Sequence, residues 1–275
     1  MDAPLADKYA RLVGLLREME RVVVAFSGGV DSTVLARAAG DALGDRALLA
    51  TADSETYPAS ELGEARRLAV HIGLPHVIVQ TQELQRPEYA ANAPNRCFFC
   101  KDELFARLDA VAREHGGMPI VYGAIMDDLG DHRPGMEAAK ARGVRAPLIE
   151  AELWKREVRE IGRDLGLPNW DKPAFACLSS RFQYGDRITP EKLRQVDAAE
   201  AFLREQGFRQ FRVRHHERLA RIELPLEEMP RLWDGDRHAL IVRRFRELGY
   251  HFVTVDLQGF RSGSANEALR WIAKK

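Results

Sequence analysis

The string Ser27-Gly-Gly-Val-Asp-Ser32 stands between a continuous apolar run at 22–26 and the apolar start of a helix near Val34. A strand that turns through glycines into a helix presents backbone amides at the helix start, where the helix dipole favours an anion. The glycines permit positive φ and a close approach of the backbone to a ligand. We predict a phosphate-binding loop in which Asp31 orients the loop or meets Mg²⁺. Its binding residues would be Ser27, Gly28, Gly29, Asp31 and Ser32.

This loop differs from two common nucleotide-binding strings. It has no lysine of the kind that the G-x-x-x-x-G-K-[ST] string of Walker-A nucleotide hydrolases requires. It also lacks the G-x-G-x-x-G string of dinucleotide sites. A plain glycine turn is the alternative interpretation, and the full string between a buried strand and a helix disfavours it.

Strands and helices alternate through the first part of the chain. Apolar runs predict strands at 22–26, 47–52, 76–80 and 119–122, and helical spacing predicts helices at 8–20, 59–72, 101–114 and 155–166. Uninterrupted apolar strands between helices predict a parallel sheet that is covered on both faces. The fold class is therefore α/β, with this parallel-sheet domain over residues 1–186.

The rhythm changes after a Pro-, Gly- and Ser-rich loop at 167–187. Alternation at 211–214 and 219–224 is typical of half-buried antiparallel strands. Helices are expected at 190–206 and, interrupted near Asp234, at 227–248. We predict a small α+β domain over 187–275, which would bind substrate or mediate oligomerisation.

Composition narrows the classes of function. The chain has 275 residues, and no apolar run approaches the roughly 20 residues of a membrane span. The N-terminus lacks the apolar core of a signal peptide, so we expect a cytoplasmic protein without membrane contact. Lys+Arg and Asp+Glu are equal at 41 each, which gives no global field for nucleic acid and disfavours an RNA substrate.

The three cysteines are Cys97, Cys100 and Cys177. An odd number argues against a disulfide framework and falls one short of a four-cysteine zinc site. Three thiolates can hold a 4Fe–4S cluster with one iron open. Cys97 and Cys100 stand three residues apart just before a predicted helix, so both sulfurs could meet one metal or cluster. Core filling is the alternative, which the polar loop around Cys177 disfavours; Lys172 and Arg181 nearby would favour its thiolate.

The S-G-G-x-D-S string resembles the PP-loop of the N-type ATP pyrophosphatases, which have an adenine nucleotide alpha hydrolase-like fold. They include NAD and GMP synthetases, asparagine synthetases and tRNA thiolation enzymes. Asp53-Ser54 after the second strand, where adenine packs in relatives, and Tyr122-Gly123 leading to Asp127-Asp128 extend the resemblance. It implies that ATP–Mg²⁺ binds here and is cleaved between the α- and β-phosphates, which forms an adenylate. Ile125 stands where many relatives have Asn.

Longer strings resemble the LarE family, the ATP-dependent sulfur transferases of nickel-pincer cofactor biosynthesis. They are N-R-C-x-x-C-K at 95–101, D-D-L-G-D-x-R-P-G at 127–135, C-L-S-S-R-x-x-Y-G-x-x-I-T at 177–189 and D-L-x-G-F-R-S-G at 256–263. The combined resemblance covers essentially the whole chain. It implies that ATP adenylates a carboxylate of pyridinium-3,5-biscarboxylic acid mononucleotide and that a protein-borne sulfur displaces AMP. Two rounds give the bisthiocarboxylate that later receives nickel. The nucleotide-binding residues implied are Asp53, Ser54, Lys101, Gly123 and Asp128.

Members of this family differ in their sulfur source. Some sacrifice the sulfur of the cysteine that matches Cys177. Members with three cysteines bind a 4Fe–4S cluster whose unique iron carries a transferable sulfide. Cysteines at all three places favour a cluster held by Cys97, Cys100 and Cys177, with sacrifice of Cys177 as the alternative. The resemblance further implies a small-molecule nucleotide substrate, a homo-oligomer and a downstream nickel-inserting enzyme.

The implied substrate carries two carboxylates and a phosphate, so cations are needed near Cys177. Alternation in Phe211-Arg-Val-Arg214 puts two guanidinium groups on one strand face, with a solvated face as the alternative. The substrate-binding candidates are Ser180, Arg181, Arg212, Arg214 and Arg261. Three carboxylates resemble positions that family members use for a divalent metal, with ordinary surface carboxylates as the alternative: Glu200, Glu223 and Asp234.

Three other functions share parts of this pattern. A tRNA 2-thiouridylase-like thiolase has the PP-loop and two cysteines, but the balanced charge and the lack of a recognisable RNA-binding extension count against it. An NAD synthetase-like amidotransferase uses ammonia and would not need three cysteines. A non-catalytic nucleotide or cluster sensor would release no pyrophosphate.

Overall fold

The computed structural model describes residues 1–130, 134–173, 176–261 and 264. Its chain divides into two units: Met1–Glu83 with Cys97–Phe175, and Leu84–Arg96 with Ala176–Lys275. The division falls after 175, whereas the predicted domain boundary lies after 186. Backbone hydrogen bonds tie the intervening loop to the second unit, since Gly185 N donates to Asn92 O and Ile188 N to Ala90 O. As a functional division, the boundary at 186 remains a proposal.

The first unit contains a four-stranded parallel sheet with the strand order β3-β2-β1-β4. Its strands are β1 Val22–Ala25, β2 Ala47–Asp53, β3 His76–Gln80 and β4 Ile120–Tyr122. The central strand β1 pairs in parallel with β2 and β4, with Val23 opposite Leu48 and Ile120. The predicted parallel sheet is confirmed.

Both faces of this sheet are buried. Val22 and Val24 pack into one hydrophobic cluster and Val23 into another, because successive side chains of a strand point to opposite faces. The helices of the first unit are α1 Ala3–Glu18, α2 Val30–Leu43, α3 Ala59–Ile72, α5 Arg96–Glu114, α6 Pro134–Ala141, α7 Pro147–Glu150 and α8 Lys155–Asp164.

Helix α5 begins at Arg96, five residues before its predicted start. Cys97 and Cys100 therefore lie in the first turns of α5, and their placement just before a helix was wrong. Pro94 is the last helix breaker before this segment, and no Gly or Pro follows until Gly116, so nothing in the local sequence delays the helix to residue 101.

The second unit contains a three-stranded sheet with the order β5-β6-β7, formed by β5 Arg212–His216, β6 Leu219–Glu223 and β7 Phe252–Val255. Strands β5 and β6 are antiparallel, and β7 runs parallel to β6. Its helices are α4 Pro87–Ala90, α9 Pro190–Glu205 and α10 Arg237–Glu247. The interrupted helix predicted at 227–248 consists of 3₁₀ turns over Leu226–Trp233, which contain Pro230, followed by α10. Within the described ranges, no helix combines the length and apolar character needed to cross a membrane.

Candidate active site

The phosphate loop joins β1 to α2 and has the predicted geometry. Gly28 has a φ of 65°, which favours glycine, and a Cβ there would lie 3.1 Å from the Cα of Ala65 in α3. Gly29 stands at the N-terminal end of α2, and no side chain among the described residues caps this helix start. The first amides of α2 are therefore available to an anion.

Several side chains hold the loop in shape. The hydroxyl oxygens of Ser27 and Ser32 lie 3.1 Å apart, and the Ser32 hydroxyl donates to Gly29 O at 3.0 Å. The Tyr57 hydroxyl donates to Ser27 O at 2.6 Å, and burial raises the pKa of Tyr57, which keeps this donor protonated. Asn169 Nδ2 donates to Gly28 O at 3.0 Å. Tyr57 and Asn169 were missed from sequence, because nothing local marks a residue that contacts the loop from a distant segment.

Asp31 forms a bidentate ion pair that was also missed from sequence. Lys155 Nζ donates to both of its carboxylate oxygens at 2.8 Å, from the first residue of α8. Burial raises the pKa of Asp31 above its ordinary value, and the positive charge of Lys155 acts against that increase. The backbone N–H of Lys155 donates to Asp127 Oδ2 at 2.8 Å. The one signal available was a lysine at the start of an amphipathic helix, which is common.

Two other predicted nucleotide-binding residues lie against backbone. A Cβ at Gly123, directly after β4, would lie 2.9 Å from the backbone nitrogen of Ser32, so only glycine lets the end of β4 approach the phosphate loop this closely. Asp128 accepts a hydrogen bond from Ile125 N at 3.1 Å, which fixes the turn that follows β4. The structure thus gives both residues a role in shaping the loop.

The end of β2 carries the predicted adenine-side residues. Asp53 accepts from Gln80 Nε2 at 2.8 Å, and the Ser54 hydroxyl donates to the buried Glu83 at 2.7 Å. The carboxyl ends of β1, β2 and β4 lie at one edge of the parallel sheet, where open α/β sheets bind ligands. Lys101 lies in α5, with Nζ 5.9 Å from the centre of the Phe105 ring.

The cysteines lie in different units. Cys97 is exposed and Cys100 half-buried in α5 of the first unit, and Cys177 is half-buried in the second. Lys172, expected to favour the Cys177 thiolate, instead pairs with Glu61 and Glu64 of α3 at 2.7 and 2.8 Å. Among the described residues, no three or more His, Cys, Asp or Glu side chains are grouped to hold a metal ion.

The carboxylates considered as metal ligands each face an arginine. Glu200 receives two hydrogen bonds from Arg181, at 2.8 and 2.7 Å. Glu223 receives two from Arg214, both at 2.9 Å, and Asp234 lies 3.1 Å from Arg237 Nη1. Both bidentate pairs are buried. Metal binding by Glu200, Glu223 and Asp234 remains a prediction.

Of the substrate candidates, Arg212 differs from its neighbours in β5. It is half-buried, and its guanidinium lies 5.0 Å from the centre of the Phe260 ring. Burial lowers its pKa to about 10, and the nearby charge of Arg181 acts in the same direction, so it stays cationic at neutral pH. Arg261 donates to Gly259 O at 3.4 Å, and the Ser180 hydroxyl accepts from Arg181 at 2.8 Å.

Comparison with known proteins decides the family. A family model described as asparagine synthase matches residues 13–107, which contain the phosphate loop. An uncharacterised protein of Synechocystis sp. is 46% identical over 96% of this chain and 99% of its own. The pyridinium-3,5-bisthiocarboxylic acid mononucleotide synthase of Lactiplantibacillus plantarum is 39% identical over 97% of this chain and 96% of its own.

The chain belongs to the LarE family.

As a LarE-family protein it is an ATP-dependent sulfur transferase built on a PP-loop domain. A glutamine-hydrolysing GMP synthase polypeptide of Archaeoglobus fulgidus is 28% identical over 68% of this chain and 65% of its own, which extends the likeness over the wider PP-loop class. The predicted family and fold class are confirmed. Two of the LarE-like strings include residues 131–133 and 262–263, which lie outside the described residues.

Proposed function

We propose that this LarE-family enzyme adenylates the carboxylates of pyridinium-3,5-biscarboxylic acid mononucleotide and converts them to thiocarboxylates for a nickel-pincer cofactor of the lactate racemase type. One observation carries the proposal. A preformed PP-loop is combined with full-length similarity to a synthase named for the bisthiocarboxylic acid mononucleotide. The similarity to GMP synthases covers only part of the chain, so the substrate is taken from the full-length relative.

The nucleotide step uses residues of the first unit. The β- and γ-phosphates of ATP would bind the amides at the start of α2, with the hydroxyls of Ser27 and Ser32 as further donors. Asp31 would bind Mg²⁺ through oxygens that Lys155 now holds. The adenine would pack beside Asp53 and Ser54, at the same sheet edge as the loop. The substrate carboxylate would attack the α-phosphorus, and magnesium pyrophosphate would leave.

The substrate's anionic groups would bind arginines of the second unit. Arg212 carries most of this proposal, because a half-buried guanidinium beside an aromatic ring can meet phosphate or carboxylate with two parallel hydrogen bonds. Arg261 and Ser180 are the further candidates. Arg181 and Arg214 were also predicted, and their bidentate pairs with Glu200 and Glu223 suit them better to supporting roles.

The sulfur step would use the three cysteines. Cys97 and Cys100 are one helical turn apart in α5, so both sulfurs can reach one ligand, and three thiolates leave one iron of a 4Fe–4S cluster open. Together with Cys177 they would hold this cluster, which would supply a sulfide for transfer. The alternative is that Cys177 gives up its own sulfur.

The sulfur source is tested by anaerobic reconstitution and turnover counting. Reconstituted protein should contain iron and acid-labile sulfide, and Cys97→Ala and Cys100→Ala should limit each protein to fewer turnovers than wild type. Multiple turnovers by both variants would refute the cluster route. A single sulfur delivered per protein by the wild type would instead support sacrifice of Cys177.

The proposal also includes the setting of the reaction. We place the enzyme in the cytoplasm, because free thiols persist in a reducing compartment. A homo-oligomer and a downstream enzyme that inserts nickel complete the proposal. Size-exclusion chromatography with light scattering tests the first, and transfer of the thiolated product to a nickel-inserting enzyme tests the second.

A further inference from the structure

The backbone around Cys177 is held by three buried arginines of the second unit. Arg181 Nη1 donates to the carbonyl oxygens of Ala176 at 2.7 Å and Cys177 at 3.1 Å. Arg96 Nη1 donates to Ser179 O at 2.8 Å, and Arg214 Nη1 to Ser180 O at 2.6 Å. Four of the five carbonyls from 176 to 180 thus accept from a guanidinium. We call Arg96, Arg181 and Arg214 the arginine collar.

Each arginine of the collar is itself fixed by a second partner. Arg181 forms its bidentate pair with Glu200 in α9, and Glu200 also accepts from Val213 N at 2.9 Å. Arg214 is paired with Glu223 in β6, and Arg96 donates to the side chain of Asn92. A planar guanidinium with several donors can bind a carboxylate and a carbonyl at once, which a lysine ammonium does less rigidly.

Stability alone does not account for the collar. Burying a paired charge costs about as much desolvation energy as the pair returns, so apolar residues would serve a purely structural loop as well. All three arginines are nevertheless buried, with exposed fractions of 5%, 1% and 7% for Arg96, Arg181 and Arg214. The common target of their donors is the backbone that carries the half-buried Cys177.

A second set of contacts holds the same loop from the 84–96 segment. The hydroxyls of Tyr89 and Ser179 lie 2.6 Å apart in a buried position, and Asn92 Nδ2 donates to Gln183 O at 2.6 Å. Arg96 therefore belongs to a network that orders the loop on both sides of its 3₁₀ turn, Leu178–Arg181.

We propose that Arg96, Arg181 and Arg214 are positioning residues that fix the backbone of Cys177 so that its sulfur keeps one orientation during sulfur transfer. The proposal rests on the proposed role of Cys177 in that reaction. A reacting atom displaced by about 1 Å loses much of the advantage of proximity, so a loop held at four carbonyls suits a sulfur that must meet an acyl adenylate.

The test measures the rate at which iodoacetamide alkylates Cys177 in a Cys97→Ser/Cys100→Ser background, where Cys177 is the one remaining thiol. Loosening the collar should raise this rate, because a half-buried thiol becomes more accessible. We expect a rise of about tenfold for Arg96→Met, the equivalent of one lost charge-assisted hydrogen bond, and a smaller rise for Arg96→Lys. Arg142→Met is the matched control in the first unit, where Arg142 pairs with Asp102 and Asp109. It should leave the rate unchanged.

An alkylation rate that stays at the background value in folded Arg96→Met would overturn the proposal, even if its thermal midpoint fell. If Arg96→Met does not fold, Arg96→Lys and Tyr89→Phe decide the question by the same rate. Failure of the proposed function would show differently, as an absence of thiocarboxylate from the wild type with the collar still controlling alkylation. In an active enzyme, Arg96→Lys should lower kcat for thiolation and leave the KM for ATP unchanged.

Discussion

Lys155 Nζ lies 2.8 Å from both carboxylate oxygens of Asp31, so the acidic residue of the phosphate loop is paired before ATP arrives. Mg²⁺ binding by Asp31 requires those oxygens, and the released ammonium would then face the phosphates. Lys155 thus keeps a buried carboxylate ionised in the empty loop and supplies a cation to the occupied one.

Replacement of Lys155 should therefore weaken the nucleotide step. We expect Lys155→Met to lower kcat/KM for ATP by roughly 10- to 100-fold, because a hydrogen bond to a charged group contributes about 1.5–3 kcal/mol. Pyrophosphate release at varied ATP and Mg²⁺ measures the effect. Lys8→Met removes another lysine that pairs with α8, through Glu157, and should change this value little. Equal values for the two variants would contradict the role of Lys155.

Gly123 should tolerate no side chain. A Cβ there would meet the backbone nitrogen of Ser32 at 2.9 Å, so Gly123→Ala must displace the start of α2. Overpacking of this kind costs about 1–3 kcal/mol, and ATP binding should weaken as well. Chemical denaturation and nucleotide titration measure the two effects. Gly130→Ala is the control, since a Cβ there has no atom within 4 Å, and it should behave as wild type.

Arg212 should act on the acceptor and not on ATP. Arg212→Gln is expected to raise the KM for the pyridinium dicarboxylate by about tenfold or more, since it removes a charged hydrogen-bond donor, and to leave the KM for ATP unchanged. Arg231→Gln is a matched control in the same unit, because its guanidinium lies 4.9 Å from the centre of the Phe208 ring. A rise in KM for both substrates, or for neither, would place Arg212 outside the acceptor site.

The stability of the protein should fall in mild acid. Burial lowers the pKa of His215 in the folded state, and the charge of Lys192 acts in the same direction. The unfolded chain therefore binds more protons below the ordinary histidine value of about 6.5, so the free energy of unfolding decreases as pH falls from 7 to 5. Urea unfolding should show a weaker pH dependence in His215→Gln. Replacement of the exposed His238 by Gln should leave the dependence as it is.

Local patterns were sufficient for the sheet and most helices. The predicted bounds 59–72 and 76–80 coincide with α3 and β3, because apolar periodicity and flanking glycines are written in adjacent residues. The phosphate loop was predictable for the same reason, since its amides and glycines lie within six residues of one another.

The supporting contacts of the site were not predictable from local patterns. Lys155 and Asp31 are 124 residues apart, and Asn169 and Gly28 are 141 apart, so only the folded chain brings them together. Arg181 was expected to bind substrate, because a cation beside a cysteine indicates an anion site. Its partner Glu200 belongs to another helix, and the sequence alone does not show which cations are already paired.

The central claim is tested most directly by mass spectrometry of the products and of the protein after turnover with ATP–Mg²⁺ and pyridinium-3,5-biscarboxylic acid mononucleotide. The account predicts a mononucleotide in which sulfur replaces a carboxylate oxygen, with one AMP and one pyrophosphate released per sulfur, and a protein that retains the sulfur of Cys177. AMP and pyrophosphate released without any thiocarboxylate would contradict the assignment of the acceptor. Loss of the Cys177 sulfur in step with product would contradict the cluster route.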